Sequence, residues 1–210
     1  QKAFELFKIS AEQGYSEAQS SLGIMYAEGI GVKKNYIEAI KWFISSAKQN
    51  NSNGEYNLGK MYATGSGVNH NLQEAIKWYT LSGEKGNIKS QFELGEIYSD
   101  REGIQKDYQE AIKWYLLSAN EGHMKSQAKL GYIFFEGVGV GRNYKKGVHW
   151  YRLAAEQGDT VSQSKLGKYY SEGKGVLKSY KQAIKWNSLS AEKGDAEAQC
   201  NLAEIYAKGQ

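Results

Sequence analysis

Three histidines, one cysteine and a scatter of hydroxyls and carboxylates are the residues of this chain with chemistry to offer. A metal site would need several His, Cys or acidic ligands at short spacing. His70, His123 and His149 have no such spacing to one another or to Cys200, so they read as surface or helix-face residues. Nucleophilic hydrolysis would want a serine on a Gly-x-Ser-x-Gly turn, served by a histidine and an acid. No such turn occurs. Glu93 and Glu96 share a helix face, but a general acid–base pair works from a pocket, and on an open face two carboxylates are simply solvated. Gly29-Ile30-Gly31-Val32 and its copies resemble phosphate loops in their glycines only. They follow an expected helix rather than a strand, and the Gly-Lys-Ser/Thr or third glycine that would complete such a loop is missing. The expectation is a chain with no catalytic residue, no metal and no cofactor, and hence not an enzyme.

The elements that position these residues belong to a repeat. Ala-Ile-Lys-Trp occurs at Ala39–Trp42, Ala75–Trp78, Ala111–Trp114 and Ala183–Trp186, and degraded as Gly147-Val148-His149-Trp150. All five tryptophans (Trp42, Trp78, Trp114, Trp150, Trp186) therefore stand 36 residues apart, which is the mark of a stacked repeat architecture. Leu-Gly recurs in register at Leu22-Gly23, Leu58-Gly59, Leu94-Gly95, Leu130-Gly131 and Leu166-Gly167, fading to Leu202-Ala203. An aromatic follows at Tyr26, Tyr62, Tyr98, Phe134, Tyr170 and Tyr206. A Gly-x-Gly-Val turn comes next, at residues 29–32, 65–68, 137–140 and 173–176; the third copy departs, reading Arg101-Glu102-Gly103-Ile104. A second glycine closes each unit at Gly14, Gly86, Gly122, Gly158 and Gly194, with Asn50 in its place once. Asn is the usual second choice where φ must be positive.

Two amphipathic helices fit between these turns. Helix A is predicted over about Glu17–Glu28, with Ala18, Leu22, Met25 and Tyr26 on one stripe. Helix B is predicted over about Tyr36–Lys48, with Tyr36, Ala39, Ile40, Phe43 and Ala47 as its stripe and Trp42 at the edge. The same offsets repeat along the chain and predict about twelve helices. A glycine inside each helix A costs roughly 1 kcal/mol against alanine, so it should permit a close approach, here expected between Gly23 and Ala39 as a small-on-small contact. Recurrence places the tryptophans and most tyrosines in the core. Lys41, Lys77 and Lys113 each follow an acid by three residues and predict a solvated face of weak ion pairs.

The net charge of +4 is mild and the lysines are interspersed with acids, without the clustered patch that nucleic acid or an anionic membrane surface would require. No apolar run approaches the roughly 20 residues of a membrane span. A single cysteine allows no intrachain disulfide. Proline is absent, in keeping with uninterrupted helices joined by glycine turns. The chain opens at Gln1 rather than Met, so N-terminal sequence is expected to have been removed, and the compartment stays open: bacterial cytoplasm, or periplasmic or secreted if a signal peptide was among it.

The Leu-Gly, Tyr, Gly-x-Gly-Val, Ala-x-x-Trp and closing Gly columns resemble the Sel1-like repeat, a relative of the tetratricopeptide repeat, over essentially the whole chain. The resemblance implies an all-α, right-handed α/α superhelical solenoid of about six repeats, with helices A on the concave side and helices B on the convex side. As one array over 1–210, it would comprise the second helix of a preceding repeat (1–14), full repeats at 15–50, 51–86, 87–122, 123–158 and 159–194, and a further first helix (195–210). It also implies an adaptor or scaffold that binds another protein in its concave groove, in bacteria as a host-interaction factor, signalling adaptor or effector-immunity protein. The alternatives are a purely structural spacer, or the penicillin-binding or β-lactamase activity ascribed to members with a cysteine pair in each repeat. This chain lacks those pairs.

What does not recur is then the candidate site. On helix A, positions 17, 21, 24 and 28 share a face that position 20 flanks, and their contents change from copy to copy. Tyr56, Phe92, Glu93, Glu96, Lys125, Lys129, Tyr132, Lys165 and Lys168 would give a groove with an acidic middle, a basic neighbour and three aromatics, which suits a protein partner. At the two ends, Phe4, Phe7 and Ile9, and Leu202, Ile205 and Tyr206, are apolar where solenoids usually carry polar caps. The array is therefore expected to continue, to be capped by other segments, or to self-associate end to end.

Overall fold

The computed structural model describes residues 2–100, 103 and 105–209. Among them are twelve α-helices and no strand. The six B-type helices are α1 (Lys2–Glu12), α3 (Tyr36–Ala47), α5 (Leu72–Glu84), α7 (Tyr108–Asn120), α9 (Tyr144–Glu156) and α11 (Tyr180–Ala191). The six A-type helices are α2 (Ser16–Glu28), α4 (Ser52–Thr64), α6 (Ile88–Asp100), α8 (Met124–Glu136), α10 (Thr160–Glu172) and α12 (Ala196–Ala207). This is the all-α repeat fold that the columns predict. The chain forms two compact units, Gln1–Leu94 and Gly95–Gln210.

Local chemistry sets most of the boundaries among the described residues. Helix A ends where Gly29, Gly65, Gly137 or Gly173 turns left-handed and donates its N–H back to the last turn. The turn then closes on the helix it has left: Asn35 N–H reaches Tyr26 O at 2.8 Å, and Asn143 N–H reaches Phe134 O at 2.7 Å. The same residues cap helix B with their side chains; Asn35 Oδ1 accepts from Ile37 and Glu38, and Asp107 from Gln109 and Glu110. Asn50 takes the place of the closing glycine at φ 60°, the left-handed conformation that the column demands. Of the departing third turn, Arg101, Glu102 and Ile104 lie outside the described residues.

The helical glycines have a different reason from the one expected. A Cβ on Gly23 would stand 2.5 Å from the Phe43 ring and 3.1 Å from the Ala39 carbonyl, so the first obstacle is an aromatic side chain. Gly59, Gly95 and Gly131 are filled against Tyr79, Tyr115 and Tyr151 in the same way, and Gly167 against Asn187. Each glycine is a socket for the residue twenty positions on. This also moves the centre of the core. Phe43, Tyr79, Tyr115 and Tyr151 are buried, whereas of the tryptophans beside them only Trp114 and Trp186 are; Trp42, Trp78 and Trp150 are half-buried. Phe4 and Ile205 are buried as well, while Phe7, Ile9 and Tyr206 are exposed.

A polar seam joins successive helices beneath this core. Ser46, Ser82 and Ser190 are fully buried, and their hydroxyls donate to the carbonyls of Ser16 (2.8 Å), Ser52 (2.7 Å) and Thr160 (2.9 Å), each thirty residues earlier. Gln19, Gln91, Gln127, Gln163 and Gln199 each donate Nε2 to a carbonyl eight residues back, at the end of the preceding helix B. The glutamines add a second donor to carbonyls of the last helical turn, which also accept from the closing-glycine N–H, as Ala11 O does from Gly14 and Gly83 O from Gly86. Glu55 is the exception in its column. It is buried, pairs with Lys85 through one oxygen and leaves Oε2 without a partner. On the outer face the expected pairs form: Lys41 with Glu38 (2.6 Å), Lys113 with Glu110 (3.2 Å) and Lys77 with Glu74.

Candidate functional site

In the first unit, Tyr56, Phe92 and Glu93 are all half-buried. The Tyr56 ring lies 5.9 Å from the core Tyr79 ring, and Lys89 Nζ sits 5.8 Å from its centroid. Burial, and then the Glu93 carboxylate, raise the pKa of the Tyr56 hydroxyl. In the second unit, Tyr132 is 51% exposed and Lys125 is exposed. The charges around them are largely engaged. Lys129 meets Glu96 at 2.9 Å, and Glu96 also accepts from the buried Tyr115 hydroxyl. Lys165 meets Glu197 at 3.0 Å, with Lys168 4.0 Å away from the same carboxylate. These pairs run from one helix A to the next, and all their members keep solvent access, so each contributes little and can be exchanged for a partner's charge.

Lys129 and Lys165, equivalent to Ser21 of the first copy, bridge to a neighbouring helix A, the one to the preceding and the other to the following. Asn57 and Asn201 occupy the same column, and each lines a cleft. The first, about 370 Å³, is lined by Ile24, Ala27, Phe43, Met61 and Asn57, with Glu28, Lys34, Tyr36 and Lys60 around it. The second, about 390 Å³, has Lys168, Ser171, Asn201 and Ile205, with Glu172, Lys178, Tyr180, Glu204 and Lys208. Lys34 covers the Tyr36 ring at 4.6 Å and, by hydrogen bonding, lowers that tyrosine's pKa; Lys178 covers Tyr180 at 4.8 Å. Spacing alone did not single out Asn57, Asn201 or these Lys–Tyr pairs. The pairs do recur at the repeat period, and that signal was there to be followed.

The groups first inspected for chemistry have structural settings. His123 caps α8, its Nδ1 accepting from Ser126 N–H, and burial followed by Lys125 lowers its pKa. Cys200 is exposed. Among the described residues no group of three or more His, Cys, Asp or Glu is placed to hold a metal ion. No helix among them is long and apolar enough to cross a membrane.

A family model described as the Sel1 repeat matches residues 1–15, 16–51, 52–87, 88–123, 125–159, 160–195 and 196–210. The chain belongs to the Sel1 repeat family. Among solved Sel1-type structures, a protective antigen present in uropathogenic Escherichia coli strains is 37% identical with a TM-score of 0.94. That match covers 99% of this chain and 44% of the antigen, so the chain spans less than half of that relative's length. A Sel1 repeat protein of Oxalobacter formigenes is 35% identical with a TM-score of 0.80, over 94% of this chain and 80% of its own. An immunity protein of Pseudomonas aeruginosa shares the fold at 19% identity and a TM-score of 0.56, over 94% of this chain and 74% of its own. No curated protein matches the chain.

Proposed function

We propose that this Sel1 repeat chain is a binding scaffold that receives a protein partner on the exposed faces of its A helices. The observation that carries this is the division of labour within those helices. Leu22, Gly23 and their equivalents are buried in every complete copy, while the positions that change from copy to copy hold the solvent-reachable aromatics and lysines. Tyr132 with Lys125, Lys129, Lys165 and Lys168 forms one such surface, and Tyr56 with Phe92 and Glu93 another. Exposed aromatics among exchangeable charges are the composition of a protein-recognition surface. We extend to this chain a bacterial, host-facing role on the strength of the protective antigen, its 37%-identical relative.

Affinity capture from the native organism tests the proposal, with wild type set against a Phe92→Ala/Tyr132→Ala/Lys168→Glu variant whose helicity is checked by circular dichroism. One partner held by wild type and lost by the folded variant is the expected result. Capture that survives all three changes would move the binding to another face and overturn the assignment.

A further inference from the structure

Within the binding role proposed above, the first cleft has a chemistry specific enough to name its occupant. Phe43 and Met61 are buried beneath it, and Ile24 and Ala27 are half-buried at its side, so its floor is apolar. The buried polar residue in its lining is Asn57, which is 7% exposed. The orientation of that amide is determined: Nδ2 donates to the Asn53 carbonyl at 2.8 Å, an atom that can only accept, and lies 3.4 Å from Ser20 Oγ. Oδ1 accepts no hydrogen bond from any described residue, and it is not among the atoms sealed from solvent. The cleft therefore offers an apolar floor with one buried acceptor, beneath a rim that also carries the hydroxyls of Tyr36, Thr64 and Ser66. Lys34 and Lys60 outnumber Glu28 around it. Ile24 and Asn57 also line an adjoining cleft of about 270 Å³ with Asn53, Tyr56 and Lys89, so the two run together along α2 and α4 and leave a course for the partner's chain.

We propose that this cleft binds an aromatic side chain of the protein partner that carries a hydrogen-bond donor on its ring edge, as the indole of tryptophan does. The ring packs on Phe43, Met61 and Ile24, and the N–H donates to Asn57 Oδ1. Other side chains meet an obstacle. Leucine or phenylalanine would cover Oδ1 and leave it without water or donor. A carboxylate would be held at the rim by the two lysines, because at the floor it would set acceptor against acceptor, and lysine or arginine would face those lysines. Those same lysines favour an aromatic face. A tryptophan in a cleft with desolvated walls is also the usual form of an interface anchor.

The test is a titration of the intact ¹⁵N-labelled chain with N-acetyl-tryptophanamide, its N1-methylindole analogue and N-acetyl-phenylalaninamide, followed by backbone amide shifts. Saturable shifts gathered at Ile24, Asn57, Met61 and their neighbours are expected. The tryptophan amide should bind about fivefold tighter than the other two, the factor of one neutral hydrogen bond. Asn57→Leu should erase that preference while the chain stays helical. Ile24→Lys should abolish binding, and lysine is tolerated at that position because the fifth copy carries Lys168 there. Absence of saturable shifts at these residues, or equal affinity for all three probes, would overturn the assignment. The probes need no native partner. Probe failure with the capture result intact would therefore remove the occupant and leave the binding role, and the converse would remove the role and leave the cleft.

Discussion

Glu28, Lys34, Tyr36 and Asn57 frame the first cleft, and four repeats later Glu172, Lys178, Tyr180 and Asn201 frame the second. Those four positions match in residue type, Lys60 of the first rim becomes Glu204 in the second, and the interiors differ. Ile24, Ala27 and Met61 in one correspond to Lys168, Ser171 and Ile205 in the other. The buried residue behind them changes from Phe43 to Asn187, whose Oδ1 accepts from Asn201 Nδ2 at 3.3 Å and whose own Nδ2 has no partner. A repeat thus holds part of its scaffold constant and varies the lining of its clefts, here through Ile24 to Lys168, Ala27 to Ser171 and, in the socket column, Phe43 to Asn187. Natural chains tolerate such local violations of good packing mostly where function benefits.

The largest effects should come from attacking the socket itself. Gly23→Ala puts a methyl 2.5 Å from a fully buried phenyl ring and should cost about 1–3 kcal/mol, the range for overpacking a core. Gly167→Ala meets the Asn187 amide instead, which can rotate, and should cost roughly half as much. Thermal melts of the two variants side by side would show whether the difference between the sockets is real; equal losses would argue against it. Next comes converting one region into the other. Asn187→Tyr restores the residue that three other copies hold against glycine and removes a buried amide donor without a partner. A gain of about 1–3 kcal/mol follows from that unsatisfied group alone, read as a rise in melting temperature. A fall would mean that the fifth socket has narrowed around its asparagine.

A smaller gain is expected at the other exception to a column. Glu55→Gln would let Nε2 donate to the Ala47 carbonyl, as Gln91 does to Gly83, while Lys85 keeps an acceptor, for about 1 kcal/mol of stability in denaturant melts. The smallest effect concerns pH. His123 in the folded chain titrates below its ordinary 6.5 because burial and Lys125 disfavour its charge. The unfolded chain therefore binds more protons in the window just below 6.5, and stability rises with pH through it and is lost on acidification. His123→Asn keeps a capping side chain and should flatten that part of the pH–stability curve, measured from pH 5 to 7.5.

Much of this molecule was written in its sequence, because a solenoid copy contacts only its neighbours and each contact is therefore printed again at the repeat period. The twelve helices, the glycine turns, the left-handed Asn50 and the solvated Lys–Glu pairs all followed from spacing and intrinsic backbone preference. The serine and glutamine seam was equally periodic, but it lies in polar columns, and attention to apolar recurrence passes over it. Tertiary structure alone decided what the non-recurring residues do, since those have no second copy to interpret them. It paired Glu96 with Lys129 and Lys165 with Glu197. It gave the helical glycines to the rings of Phe43, Tyr79, Tyr115 and Tyr151 rather than to Ala39. It set Asn57 and Asn201 in the linings of two clefts, because what stands opposite a side chain across two packed helices is a distance between elements that no spacing along the chain records.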